Sequence, residues 1–147
     1  MGTVLDTTVF IQLERHLSAL PAPVAMGDLI ERLGRSLEQD EPLAMASITA
    51  SELLHGVHRA TAAHRVRREA FVEALLSSFP PLPFDLPCAR AHARIWAHLA
   101  ATGTDVGAHG RIVAATAMAA GWRVATANVR HFDRIPGLTV LGLDLTA

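Results

Sequence analysis

Short apolar runs alternate along the chain with longer stretches whose apolar residues recur at helical spacing. The first run is "TVLD" at residues 3–6, β-prone and closed by an acid. "TTVFIQLERHL" follows, with Val9, Phe10, Leu13 and Leu17 on one helical face and Asp6 and Thr7 where the cap belongs. Pro21 and Pro23 predict a loop, and residues 25–39 a second amphipathic helix through Leu29, Ile30, Leu33 and Leu37. "EPLAMASI", bounded by Pro42, reads as the second strand. Thr49 and Glu52 then have capping-box spacing, with Leu53 and Leu54 behind them. The helix they open continues as helix through residues 65–78, and the two helices form an arm beside the sheet. "FPPLPFD" predicts a third strand, and "PCARAHARIWAHLAATG" a helix ending at Gly103. "TDVGAHGRIVAATAMAAGW", residues 104–122, is a helix of small residues that opens on Gly107 and Gly110 without an acidic first turn. "WRVAT" is a fourth strand, and "LTVLGL" a fifth.

Strands alternating with helices, where the strands are short and apolar, predict an α/β layered domain with a mostly parallel sheet of four or five strands. Ala114, Ala115, Ala117 and Ala119 would let the small-residue helix approach that sheet closely. No repeat or linker interrupts the pattern, so residues 1–147 read as one domain.

Composition narrows the picture. The chain has 147 residues, half of them apolar, enough for a buried core. The absence of a long apolar run argues against a membrane span, and the N-terminus lacks a signal-peptide pattern. Cys88 is the sole cysteine, so a disulfide framework is excluded and a cytoplasmic protein is the expectation. The formal net charge is −1, so contact with nucleic acid requires a local basic patch.

In open parallel sheets, sites gather at the carboxyl ends of strands. Asp6 ends the first strand, Glu52 lies past the second, Asp105 precedes the small-residue helix, and Thr126 and Asn128 follow the fourth strand. Clustered carboxylates repel one another unless a cation joins them, and oxygen donors favour Mg²⁺ or Mn²⁺ over zinc. Each residue also has an ordinary reading: Asp6 as a helix cap worth ~1 kcal/mol, Glu52 as a capping-box partner, Asn128 as a turn residue. His55 and His58 are not accompanied by a zinc motif, and Cys88 reads as core. Arg59, Arg65 and Arg68, in "HRATAAHRVRR", are either contacts to a phosphate backbone or to a protein partner, or a solvated helix face.

The stretches "VLDTTVFI", "ITASELLHGV", "GTDVGAHGRIVAATAMAAG" and "VATANVRHFDRIPGLTVL" resemble, in order, the PIN-domain family, and specifically the VapC-type toxins of toxin–antitoxin pairs. That resemblance implies an α/β/α sandwich and a Mg²⁺- or Mn²⁺-dependent endoribonuclease. Such an enzyme cuts structured RNA, transfer or ribosomal, and so stops translation. It further implies a homodimer and a VapB-type antitoxin partner, with Arg59, Arg65 and Arg68 as the candidate contacts to RNA or to that antitoxin. Asp6 matches the first acidic position, with Thr8 beside it as a hydroxyl contact; Glu52 matches the second, and Asn128 the last polar position. Asp6, Glu52 and Asn128 are the implied catalytic set, with Thr8 and Thr126 in support. Relatives commonly read "GAHD" where this chain reads "GAHG", so Gly110 stands in the place of the expected aspartate. Asp105 is a conceivable substitute ligand. Loss of one ligand weakens the expected nuclease, and the competing reading is a catalytically silent binding module for antitoxin or RNA. A phosphoryl-transfer hydrolase using Asp6 as nucleophile is a third reading. Against it, Thr8 stands where such an enzyme's second aspartate belongs.

Overall fold

The computed structural model describes residues 1–17, 22–38 and 40–143. The predicted loop at Pro21 lies outside these, while Pro23 falls within a helix. Five strands make one sheet: β1 (Thr3–Leu5), β2 (Leu43–Ala46), β3 (Pro81–Leu82), β4 (Arg123–Thr126) and β5 (Val140–Gly142). Their order is β3-β2-β1-β4-β5, and every pairing is parallel. The helices are α1 (Thr7–Leu17), α2 (Ala22–Ser36), α3 (Ser47–Arg59), α4 (Ala62–Ser78), α5 (Leu86–Thr102), α6 (Ala108–Ala120) and α7 (Val129–Phe132).

Alternation along each strand divides the core into two. Leu5, Met45 and Ala125 face a cluster with Val9, Phe10, Leu29, Leu53 and Leu75. Val4, Ala46 and Val124, one position earlier or later, face a cluster with Ile95, Leu99, Val113 and Phe132. A period of two along the strand puts successive side chains on opposite faces, which gives helices on both sides of the sheet. Among the described residues, no helix is long and apolar enough to cross a membrane.

Several local readings change. The capping box does not form: α3 starts at Ser47, its N-cap is Ala46, and no side chain caps it. Thr49 is instead a buried residue inside the helix. The chain breaks at Ala60 and Thr61, both extended, so the arm divides earlier than its apolar spacing indicates. The third strand is reduced to Pro81–Leu82, because prolines cannot donate to the ladder. The small-residue helix is shorter than predicted at both ends. Gly107 before it has φ 79° and Gly121 after it φ 71°, a left-handed region where glycine carries no Cβ penalty.

The thinness of α6 has a packing cause. Ala114, Ala115 and Ala117 are fully buried, and α6 packs on β1, β2, β4 and α5. Ala119, by contrast, is exposed and takes no part in that approach.

Candidate active site

The strand order reverses around β1. From β1 the chain goes to β2 on one side, and later to β4 on the other. The carboxyl ends of these neighbouring strands border a crevice, which is where open parallel sheets hold their sites. Asp6 follows β1, Glu52 lies on the helix after β2, and Asn128 follows β4. All three line one cleft of about 220 Å³, with Thr7, Thr8, His109, Gly110 and His131.

Asp6 is only 6% exposed. Its Oδ2 accepts hydrogen bonds from Thr8 Oγ1 at 2.7 Å and Thr126 Oγ1 at 2.9 Å. Those hydroxyls also organise the loop beyond β4. Thr8 Oγ1 accepts from the Ala127 N–H at 3.2 Å, and Thr126 Oγ1 from the Asn128 N–H at 3.0 Å. Glu52 is held from the other side, by Thr7 Oγ1 at 3.1 Å and by His109 Nδ1 at 3.4 Å. Thr7 is 3.0 Å from the buried Thr49 hydroxyl, so Thr49 supports the residue that holds Glu52 instead of capping the helix. Thr7, Thr49 and His109 are not legible as site residues in the sequence: the packing of α1 and α6 against α3 brings Thr7 and His109 to Glu52, and Thr49 lies one turn before it on α3.

A buried carboxylate is costly unless a cation or strong donors compensate it. Among the described residues no cationic side chain pairs with Asp6, and its Oδ1 and the Oε2 of Glu52 receive no hydrogen bond. Two carboxylates with free oxygens in one cleft fit a hard divalent ion that keeps several waters. No three acidic, histidine or cysteine side chains among the described residues stand together as a complete metal cluster.

Asp105 does not join them. It is absent from the cleft lining, and its Oδ1 accepts from Arg111 Nη1 and from the N–H groups of Val106 and Gly107. The hydrogen bond from Arg111 holds its carboxyl below the usual range. The expectation that it substitutes for the missing ligand is therefore corrected: Arg111 has claimed it for the entry to α6.

The PIN domain family matches residues 3–138, nearly the whole chain. The chain belongs to the PIN-domain family. Within it, the chain is similar to ribonuclease VapC1 of Rickettsia felis, at 32% identity over 96% of each chain. It is also similar to the tRNA(fMet)-specific endonuclease VapC of Salmonella typhimurium, at 36% identity over 67% of this chain and 73% of that one. Among solved structures, DNA-bound VapBC from Salmonella typhimurium matches with a TM-score of 0.79 and 28% identity, over 98% of this chain and 99% of that chain.

In this PIN domain, Gly110 is buried in the first turn of α6 and lines the cleft. The helix mouth faces the carboxylates and brings no acid of its own. The three arginines diverge. Arg68 pairs with Glu14, Nε to Oε1 at 2.8 Å and Nη2 to Oε2 at 3.1 Å. It lies across α3 over Gly56, where a Cβ would come within 2.7 Å of Nη2. Arg65 donates to the carbonyls of Ala60 at 3.0 Å and His58 at 3.4 Å, closing the end of α3. Arg59 is exposed and lines a hollow of about 370 Å³ with His64 and Arg67. That hollow shares Glu14 and Arg68 with a second one at Arg15, which in turn shares Ile11 with the cleft. Nothing in the sequence singles out Arg15 and Arg67, because the furrow that joins them to the cleft is tertiary. Cys88 is buried, and burial pushes its thiol up, as suits a core residue.

Proposed function

We propose that this chain is a divalent-metal-dependent endoribonuclease of the VapC toxin type, paired with a VapB-type antitoxin and acting on structured RNA in the cytoplasm. The observation that carries the reading is Asp6: a buried carboxylate that has no cationic partner among the described residues, across one cleft from Glu52. The names of the relatives, ribonuclease and tRNA-specific endonuclease, support RNA as the substrate class. The VapBC complexes among its structural neighbours support the antitoxin. Asp6 and Glu52 would hold the ion, with Asn128 at the rim. A divalent ion there supplies charge stabilisation for displacement at a phosphodiester.

The chain's own residues do the rest. Thr8 and Thr126 hold the Asp6 carboxylate in place through hydrogen bonds to Oδ2. Thr7 and His109 orient Glu52. The arginine-lined furrow along α1 receives the phosphate backbone, and Arg15, Arg59 and Arg67 neutralise it. Glycine at position 110 leaves the site one carboxylate short, which lowers affinity for Mg²⁺.

The test is cleavage of transfer and ribosomal RNA with Mg²⁺, with Mn²⁺ and with chelator, for the wild type and Glu52→Gln. Ion-dependent cleavage that Glu52→Gln abolishes supports the reading. Cleavage that persists in chelator contradicts it. Gly110 favours a second reading, the silent binding module: RNA or antitoxin bound tightly, with no cleavage under any ion.

A further inference from the structure

The space beside Gly110 is not empty. A Cβ there would lie 2.8 Å from His131 Nε2 and 3.3 Å from His131 Cδ2. The imidazole of α7 thus occupies volume that an aspartate at position 110 would need. His131 also lines the cleft with Asp6, Glu52 and Asn128. Its ring packs edge-on against Phe132, with centroids 5.2 Å apart at 82°. Among the described residues neither ring nitrogen makes a hydrogen bond, so a lone pair is available.

We propose that His131 takes the place of the carboxylate missing at position 110, making the cleft a mixed nitrogen-and-oxygen donor site that prefers a first-row transition ion to Mg²⁺. This rests on the metal-dependent reading of the cleft. The chemistry is that of donor choice. Mg²⁺ takes oxygen ligands almost without exception, whereas imidazole binds transition ions well and raises affinity along the Irving–Williams order. Exchanging an anionic ligand for a neutral one also removes repulsion between carboxylates. The ring is not yet gathered with Asp6 and Glu52 into a complete cluster. It is half-buried and unheld by hydrogen bonds, so an ion brought by the carboxylates can draw it in. Gly110 and His131 are then one exchange, a side chain given up on α6 and replaced from α7.

The experiment titrates the full chain with CoCl₂ and with MgCl₂, by calorimetry and by Co²⁺ visible absorption, with circular dichroism as the fold check. The wild type should bind Co²⁺ more tightly than Mg²⁺. His131→Ala should lower Co²⁺ affinity by about tenfold or more, the scale of losses at metal-site side chains, and alter its absorption while leaving Mg²⁺ affinity unchanged. His131→Gln, which keeps the bulk, should behave likewise, so a packing defect cannot imitate the result. Gly110→Asp/His131→Ala, an all-oxygen site with room for the carboxylate, should regain Mg²⁺. If His131→Ala changes neither ion, or both alike, His131 is no ligand and the proposal is overturned while the metal-dependent reading stands. Glu52→Gln should weaken both ions. If it weakens neither, or the wild type binds neither, the metal-dependent reading falls together with the proposal.

Discussion

Asp6, Glu52 and Asn128 are far apart in the chain and converge on one cleft; Arg59, Arg65 and Arg68 are close neighbours in the chain and are held differently, although Arg59 and Arg68 border one hollow. Convergence in the first set comes from topology. A parallel sheet delivers every strand's carboxyl end to the same edge, and the order β2-β1-β4 puts the three relevant ends side by side. Divergence in the second set comes from a break and a rotation. Arg59 ends α3, Arg65 turns back to cap it, and Arg68 reaches across to α1. Position relative to a strand end therefore gathers side chains that are distant in the chain, whereas arginines that are close in the chain are held in different ways.

The largest effect is expected at Asp6. Asp6→Asn should lower RNA cleavage by about a hundredfold or more, the loss usual when one charge-stabilising group is removed from a reacting centre. The chain should remain folded by circular dichroism. Survival of most activity would detach the cleft from the chemistry.

The arginines sharpen the contrast. Replacing Arg15, Arg59 and Arg67 together by alanine should flatten the salt dependence of RNA binding, by roughly one unit of slope for each phosphate no longer neutralised. Arg65→Ala/Arg68→Ala should leave that slope nearly unchanged, because those guanidinium groups are committed within the fold. The reverse pattern would restore Arg65 and Arg68 as the binding pair.

A smaller effect is expected at Thr126. Thr126→Val removes a donor from buried Asp6 and an acceptor from the Asn128 N–H, at a cost of about 1–3 kcal/mol in thermal denaturation. Asp105→Asn should do least. Its carboxyl is depressed by Arg111, so its contribution is present above the unfolded value, about pH 4, and is lost as pH falls through the lower folded value. At neutral pH the variant should cleave RNA like the wild type, as measured side by side; a loss of cleavage would return Asp105 to the site.

Much of this molecule is legible before folding. The alternation of short apolar runs with helical spacing marks all five strands, and the acids after strand ends mark the cleft. What the pattern conceals has physical reasons. Thr49 and Glu52 satisfy the spacing of a capping box, yet spacing cannot say where a helix starts, and Ser47 has already started it. The extended break at Ala60 and Thr61 carries no glycine or proline to announce it. Gly110 is visible as a departure from the family pattern, but His131 filling its space is not, because the two meet only through the packing of α6 and α7. Asp105 matches the expected acidic position by charge alone, and Arg111, in the first turn of α6, holds its carboxylate elsewhere.

The most direct test of the cleft is a crystal of this chain soaked in Mn²⁺, with the ion located by anomalous scattering. A peak is expected between the carboxylates of Asp6 and Glu52, with the His131 ring turned toward it. A peak at Asp105, or none in the cleft at a concentration that supports RNA cleavage, would contradict the cleft assignment.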